Sequence, residues 1–144
     1  MRVSELMHTP AVTCTPRDTV SAVAQLMATR NVGSIVVIDN VGEVAGIVTD
    51  RDITIRGVAE GRSGDIPVEA LMTRNVALVD PRADIADAAA TMMKRRVRRL
   101  PVVDDRGHVH GLVALDDIVR NVVRQTDEVG DLLLAQTAQL PFGP

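Results

Sequence analysis

Gly46-Ile47-Val48-Thr49-Asp50-Arg51-Asp52 reads as an apolar strand that runs into a polar turn and opens a helix, and the pattern occurs twice. Adding 65 to each number gives Gly111-Leu112-Val113-Ala114-Leu115-Asp116-Asp117, which keeps the glycine, the apolar residues and the final aspartate but loses the hydroxyl and the arginine. Outward from this stretch the same offset recurs without a gap. Val3-Ser4-Glu5-Leu6-Met7 aligns with Val68-Glu69-Ala70-Leu71-Met72, Pro16-Arg17 with Pro81-Arg82, Val37 and Asp39 with Val102 and Asp104, and Gly42 with Gly107. A constant offset means two units, roughly 3 to 56 and 68 to 121, with the same elements in the same order. Two copies make neither a solenoid nor a propeller. The expected solution is a pair facing each other about a pseudo-twofold axis, each covering apolar surface the other cannot bury alone.

Within the first copy, Ala11 to Thr15 is a short β-prone run closed by Pro16. Val20, Val23, Ala24 and Met27 then fall at i, i+3, i+4 and i+7, one apolar stripe of a helix that Thr15 or Thr19 caps. The second copy repeats the stripe as Ile85, Ala88, Ala89 and Met92, with Asp80 or Asp84 as cap. Ile35 to Ile38 and Val44 to Val48 form a hairpin around Asp39-Asn40-Val41-Gly42-Glu43, and their continuous apolar character predicts cover on both faces. The counterpart is Leu100 to Val103 with Val109 to Val113, where Pro101 marks a strand start or an edge. A second helix follows each hairpin, so each copy reads β-α-β-β-α, a mixed α/β fold of the α+β kind. The boundaries are 1–61 and 62–125, with Gly57 to Pro67 as the linker and 126–144 as a partly helical tail outside the repeat.

Composition narrows the function. The 144 residues are 46% hydrophobic, with one Phe and neither Trp nor Tyr, so the core is aliphatic and no ladder of rings is present to stack bases. A net charge of -3 gives no global field for polyanions, which argues against nucleic acid. No run approaches the roughly 18 apolar residues of a membrane span. A single cysteine, Cys14, and a start without a signal-peptide pattern fit a reducing, cytoplasmic setting.

Tandem β-α-β-β-α units, each holding an apolar strand followed by Asp-x-x-Gly and each ending in Gly-apolar-apolar-x-x-x-Asp, resemble a pair of CBS domains, the Bateman module. The likeness covers residues 3 to 121. Thr49-Asp50-Arg51-Asp52-Ile53, in a chain without an attached enzyme or transporter domain, is similar to the short stand-alone bacterial CBS pairs, the hypoxic-response type among them. The resemblance implies a non-catalytic regulatory module that requires no cofactor and binds AMP, ADP, ATP or a related adenosyl compound in the cleft between the repeats. It also implies a homodimer or a protein effector in trans as the route of signalling, in energy sensing or a stress response.

The chemistry of the repeated stretch suits that role. At a strand-to-helix turn the first N–H groups are unpaired and the dipole favours anions. Thr49 offers a hydroxyl, Arg51 a fork of donors for phosphate, and Asp52 a carboxylate able to accept from a ribose diol. By resemblance, Asp52 and Thr49 serve one site and Asp117 the other. The opening strands, through Thr13, Cys14 and Ala77, flank the adenine together with Ile47. The bland alternative is a capping box, since Thr followed three residues later by an acid stabilises a helix start with no ligand. Ala114 and Asp116, in place of Thr49 and Arg51, predict that phosphate prefers the Asp52 site. Lys94 to Arg99 carries five basic residues in six positions, mostly a solvated helix end, with Arg99 first and Arg98 second as phosphate contacts.

Two other readings remain. One is a CBS scaffold that binds no small molecule and acts only through protein contacts. The other is a small metal-binding protein using His108 and His110, against which stands the ordinary reading of two surface histidines near a turn. Cys14 has no positioned His or Asp partner and reads as a small apolar strand residue.

Overall fold

The computed structural model describes residues 1–125; the expected partly helical tail lies outside them. Among the described residues four helices and two small sheets form, in two compact units. The first copy supplies β1 (Thr13–Cys14), α1 (Val20–Arg30), β2 (Ser34–Ile38), β3 (Val44–Thr49) and α2 (Asp50–Asp52), which continues as a wider π-type turn over Ile53–Val58. The second supplies α3 (Ile85–Arg95), β4 (Arg99–Val103), β5 (Val109–Ala114) and α4 (Leu115–Val123).

The compact units do not follow the linear copies. One unit contains Ala11–Val76 with Asp105–Val109; the other contains Met1–Pro10, Ala77–Asp104 and the described residues from His110 to 125. The reason is visible at the two aligned Val-x-x-Leu-Met stretches, each a single 3-10 turn. Val68 is fully buried among Cys14, Val23, Met27 and Val48, and its N–H donates to the Asp18 carbonyl at 2.8 Å. Val3 is likewise buried among Val79, Met92, Leu100 and Val113, with its N–H on the Ala83 carbonyl at 2.9 Å. Each core therefore includes the opening turn of the other copy. A fully buried Val contributes about 1.5–3 kcal/mol of apolar transfer, so the exchange is part of the stability of both units.

In the unit built on the first copy, β2 lies between a parallel β1 and an antiparallel β3. Four of the five β2 residues are buried, as its unbroken apolar run predicts, whereas β3 alternates. The Asp39 side chain accepts from Val41 and Glu43 N–H groups at 3.0 and 2.9 Å, and Gly42 takes φ +86°, so the predicted turn forms by its own side-chain chemistry. Thr19, not Thr15, caps α1, accepting from Ala22 N–H at 3.1 Å. Asp84, not Asp80, does so for α3. The stripe predicted for α1 buries Val20, Val23 and Met27; that of α3 buries Ala88 and Met92. Gly57, read as linker, sits inside the last helix of the first copy. An added Cβ there would stand 3.1 Å from Leu71 Cδ1, so this glycine serves close packing and not a loop.

The second copy departs from β-α-β-β-α at its first strand, which shrinks to a single parallel bridge of Val79 with Val102. Pro101 explains the loss. Its counterpart Val36 donates its N–H to the Val12 carbonyl at 3.1 Å, and a proline has no such donor for the matching carbonyl of Ala77. Only the bonds flanking Val79 remain, Val79 N–H to Pro101 O at 3.1 Å and Val103 N–H to Val79 O at 3.0 Å.

Candidate functional site

In the sheet of the first copy, register sorts the expected ligand residues by face. Thr13 pairs with Val36 and Val36 with Ile47, so these three stand on one face, and Thr49, two residues beyond Ile47, shares it. Cys14 pairs with Val37 and Val37 with Gly46, which puts its side chain on the opposite face. There it packs in the core with Val23, Met27 and Val48. Burial pushes the Cys14 thiol up to about 12 from 9.0, with Asp18 adding to the effect. Cys14 is therefore corrected from a ligand residue to a core residue, whereas Thr13, Ile47 and Thr49 are brought together.

Thr49 caps the helix as the bland reading required: its hydroxyl accepts from Asp52 N–H at 3.1 Å, and Asp52 Oδ2 accepts from Thr49 N–H at 2.9 Å. The cap and a ligand do not exclude each other. The Thr49 hydroxyl acts here as an acceptor and retains its proton to donate. Among the described residues Asp52 Oδ1 faces only Arg56 Nε, at 3.8 Å, on a side chain that is half exposed. Asp50, between them, accepts from Arg51 N–H at 2.8 Å, and its own N–H donates to the Gly33 carbonyl at 3.0 Å, which fixes the helix entrance on the loop before β2. The Arg51 guanidinium is exposed, with no carboxylate partner among the described residues.

Gly46 admits a backbone, as expected, but the backbone is the chain's own. Ile47 N–H donates to Thr73 O at 3.0 Å and Thr73 N–H to Ile47 O at 2.8 Å, and an added Cβ on Gly46 would lie 2.8 Å from that Thr73 carbonyl. Gly111 repeats the arrangement with His8, whose carbonyl oxygen would be 2.6 Å from an added Cβ.

The helix entrance of the second copy has the same frame and different chemistry. Leu115 N–H donates to Arg98 O at 2.8 Å, as Asp50 does to Gly33. Asp117 Oδ2 accepts from Ala114 N–H at 3.0 Å, but Ala114 returns no hydroxyl, so only half the cap exists. Arg98 lies just before β4 and its guanidinium pairs with Asp116 Oδ1 at 3.0 Å. That pair answers the charge of the residue standing where the other copy has Arg51. Arg99, the first residue of β4, is half-buried. Ala77 packs against the core of this unit. Of the histidines, His110 Nε2 lies 3.0 Å from Asp104 Oδ2, and His108 stands over the Gly42 turn. Among the described residues no three His, Cys, Asp or Glu side chains come together to hold a metal ion. No helix among them is long and apolar enough to cross a membrane.

The two helix entrances share one frame, each with an aspartate at the third helical position. The CBS domain family model matches residues 3–56 and again 68–124. The chain belongs to the CBS domain family. It is 39% identical over 119 residues to the CBS domain-containing protein YhcV of Bacillus subtilis, an alignment covering 83% of this chain and 84% of that one. The fold is similar to the CBS domain pair of protein MJ0100 in complex with 5′-methylthioadenosine and S-adenosyl-L-methionine, with TM-score 0.81, 26% identity and coverage of 88% and 98%. It is similar too to the CBS domain protein PAE2072 from Pyrobaculum aerophilum complexed with AMP, with TM-score 0.76, 25% identity and coverage of 94% and 99%.

Three further residues of this CBS pair bear on the site: Arg56, which the sequence did not single out, Leu78, a member of the second opening strand, and His8, which the sequence offered only as a possible extra metal ligand. Arg56 approaches Asp52 and donates to the Leu71 carbonyl at 3.0 Å. Leu78, the counterpart of Thr13, is exposed. His8 reaches Asp117, Nε2 to Oδ1 at 3.0 Å. The 65-residue offset pairs His8 with Thr73, a mismatch legible in the sequence, but only the fold puts it against a carboxylate.

Proposed function

We propose that this CBS pair is a non-catalytic regulatory module whose first-copy helix entrance binds an adenosyl ligand. Asp52 Oδ1 receives the ribose diol, Thr49 donates its hydroxyl proton, Arg51 neutralises phosphate, and Thr13 and Ile47 flank the base. The observation that carries the reading is the capped carboxylate: Asp52 is held by one oxygen and retains the other, on the helix capped by Thr49, which register puts on one sheet face with Thr13 and Ile47. Solved relatives in complex with AMP, 5′-methylthioadenosine and S-adenosyl-L-methionine support the ligand class. The signal passes to a second copy or to a protein effector in trans. Apolar residues exposed on the last helices, Ile55 and Val58 in one copy and Val119 and Val122 in the other, suit such contacts.

A thermal-shift and calorimetric panel of AMP, ADP, ATP, 5′-methylthioadenosine and S-adenosylmethionine tests the reading. Ligand at about 100 times its dissociation constant adds roughly 2.7 kcal/mol to a single-site protein. Asp52→Asn is the sharper variant, because an amide oxygen keeps the cap and only the second acceptor is lost. Stabilisation that survives Asp52→Asn, or a panel without any response, overturns the site and favours a scaffold acting by protein contact alone.

A further inference from the structure

The two aspartates at the helix entrances are alike in sequence and in their caps, and they differ in what meets the other carboxylate oxygen. Asp52 Oδ1 has Arg56 at 3.8 Å; Asp117 Oδ1 has the imidazole of His8 at 3.0 Å. The Asp117 side chain is 13% exposed and that of His8 is 75% exposed, so the imidazole covers the carboxylate from the solvent side. His8 is placed there by main-chain bonds that leave little choice, its N–H donating to Leu112 O at 2.9 Å and its carbonyl accepting from Leu112 N–H at 3.0 Å. In the first copy the same ladder is made by Thr73, whose shorter side chain turns to Arg56 instead, 3.4 Å from its Nη1.

We infer that His8 is the residue that sets the affinity of the second adenosyl site, by holding the oxygen of Asp117 that a ribose diol needs. The inference rests on the adenosyl reading of the first site and extends it. With Oδ2 committed to Ala114 N–H and Oδ1 to His8, a ligand at Asp117 must displace the imidazole before it gains either hydroxyl contact. A hydrogen bond to a carboxylate, discounted for the exposure of His8, makes that displacement worth about a three- to tenfold loss in affinity. The first site carries no such latch, and the two copies therefore fill in order, Asp52 before Asp117.

Adenosine is the suitable probe, since it carries the diol and no phosphate to be repelled by Asp116. In an Asp52→Asn background, which silences the first site, calorimetric titration reads the second alone. His8→Thr, the residue of the other copy, raises adenosine affinity about three- to tenfold, and adding Asp117→Asn abolishes the gain. His8→Gln, which retains a side-chain donor, stays near the parent. A purely structural role for His8 predicts instead that both substitutions act alike and show equally in ligand-free thermal stability. Unchanged or weaker binding in His8→Thr overturns the inference, as does a second site that stays silent in every variant while the unaltered chain binds one ligand. Absence of adenosyl binding in the unaltered chain overturns the first-site reading as well, so the two failures are distinct.

Discussion

Arg56 Nη1 donates to the carbonyl oxygen of Leu71 at 3.0 Å, tying the last helix of the first copy to the opening turn of the second inside one compact unit. The carbonyl belongs to the end of the Val68–Ala70 turn, which has no helix of its own to satisfy it. The second copy has Asn121 at this position, and its amide nitrogen is buried with no hydrogen-bond partner among the described residues. Arg56→Ala is expected to cost about 1–2 kcal/mol in urea unfolding, the value of a charge-assisted bond at a half-exposed site. Arg56→Met of equal stability to the unaltered chain would show the bond to be incidental.

Gly46 and Gly111 each face a carbonyl across a two-bond ladder. Alanine at either position drives Cβ to 2.8 Å of Thr73 O or 2.6 Å of His8 O, in both cases onto backbone that cannot rotate away. Each substitution should destabilise by about 1–3 kcal/mol, the ordinary cost of overpacking. At Gly111 the displaced segment carries His8, so Gly111→Ala should also shift the His8 ring resonances. Loss of stability without that shift would contradict the ladder.

Cys14 should be inert in the folded chain. Its folded pKa, about 12, lies above the ordinary 9.0, so burial favours the neutral thiol. The sign follows: this contribution to stability is complete below pH 9 and falls as pH rises from 9 towards 12. Iodoacetamide at pH 8 should therefore label Cys14 only after unfolding, and Cys14→Ala should flatten the decline of stability above pH 9. Rapid labelling of the native chain would place the thiol outside the core.

Arg96 ends α3 in the left-handed conformation, φ 54°, where its counterpart Asn31 ends α1 with φ 51°. Asn tolerates that backbone better than a long side chain. Arg96→Asn should raise stability by about 0.5–1 kcal/mol in thermal unfolding. A fall would mean the guanidinium makes contacts worth more than the backbone strain it brings.

Much of the fold was legible because it is written twice. The helical stripe at Val20, Val23 and Met27, the Asp39 turn and the strand-turn-helix at Thr49 each rest on local chemistry, and local chemistry repeats with the residues. Cys14 could not be sorted from Thr13 in the same way. Adjacent strand residues look alike in sequence, and the face each takes is fixed by pairing with Val36 and Val37, more than twenty positions on. The exchanged turns were invisible for a similar reason: Val3 and Val68 fit either core equally well by composition.

The sequence by itself determined the repeat, its elements and the family, since periodicity, turn residues and a gapless offset are properties of neighbours along the chain. Tertiary structure decided what each of the two matched aspartates meets. Both carboxylates sit at helix starts that the sequence specifies, yet Asp52 meets only Arg56, four residues on in its own helix, whereas Asp117 meets His8, because the opening segment packed into that unit comes from the distant copy and brings its imidazole with it. Contact across that distance follows from burial of Val3 and Val68, a free energy of the folded whole that no window of residues contains.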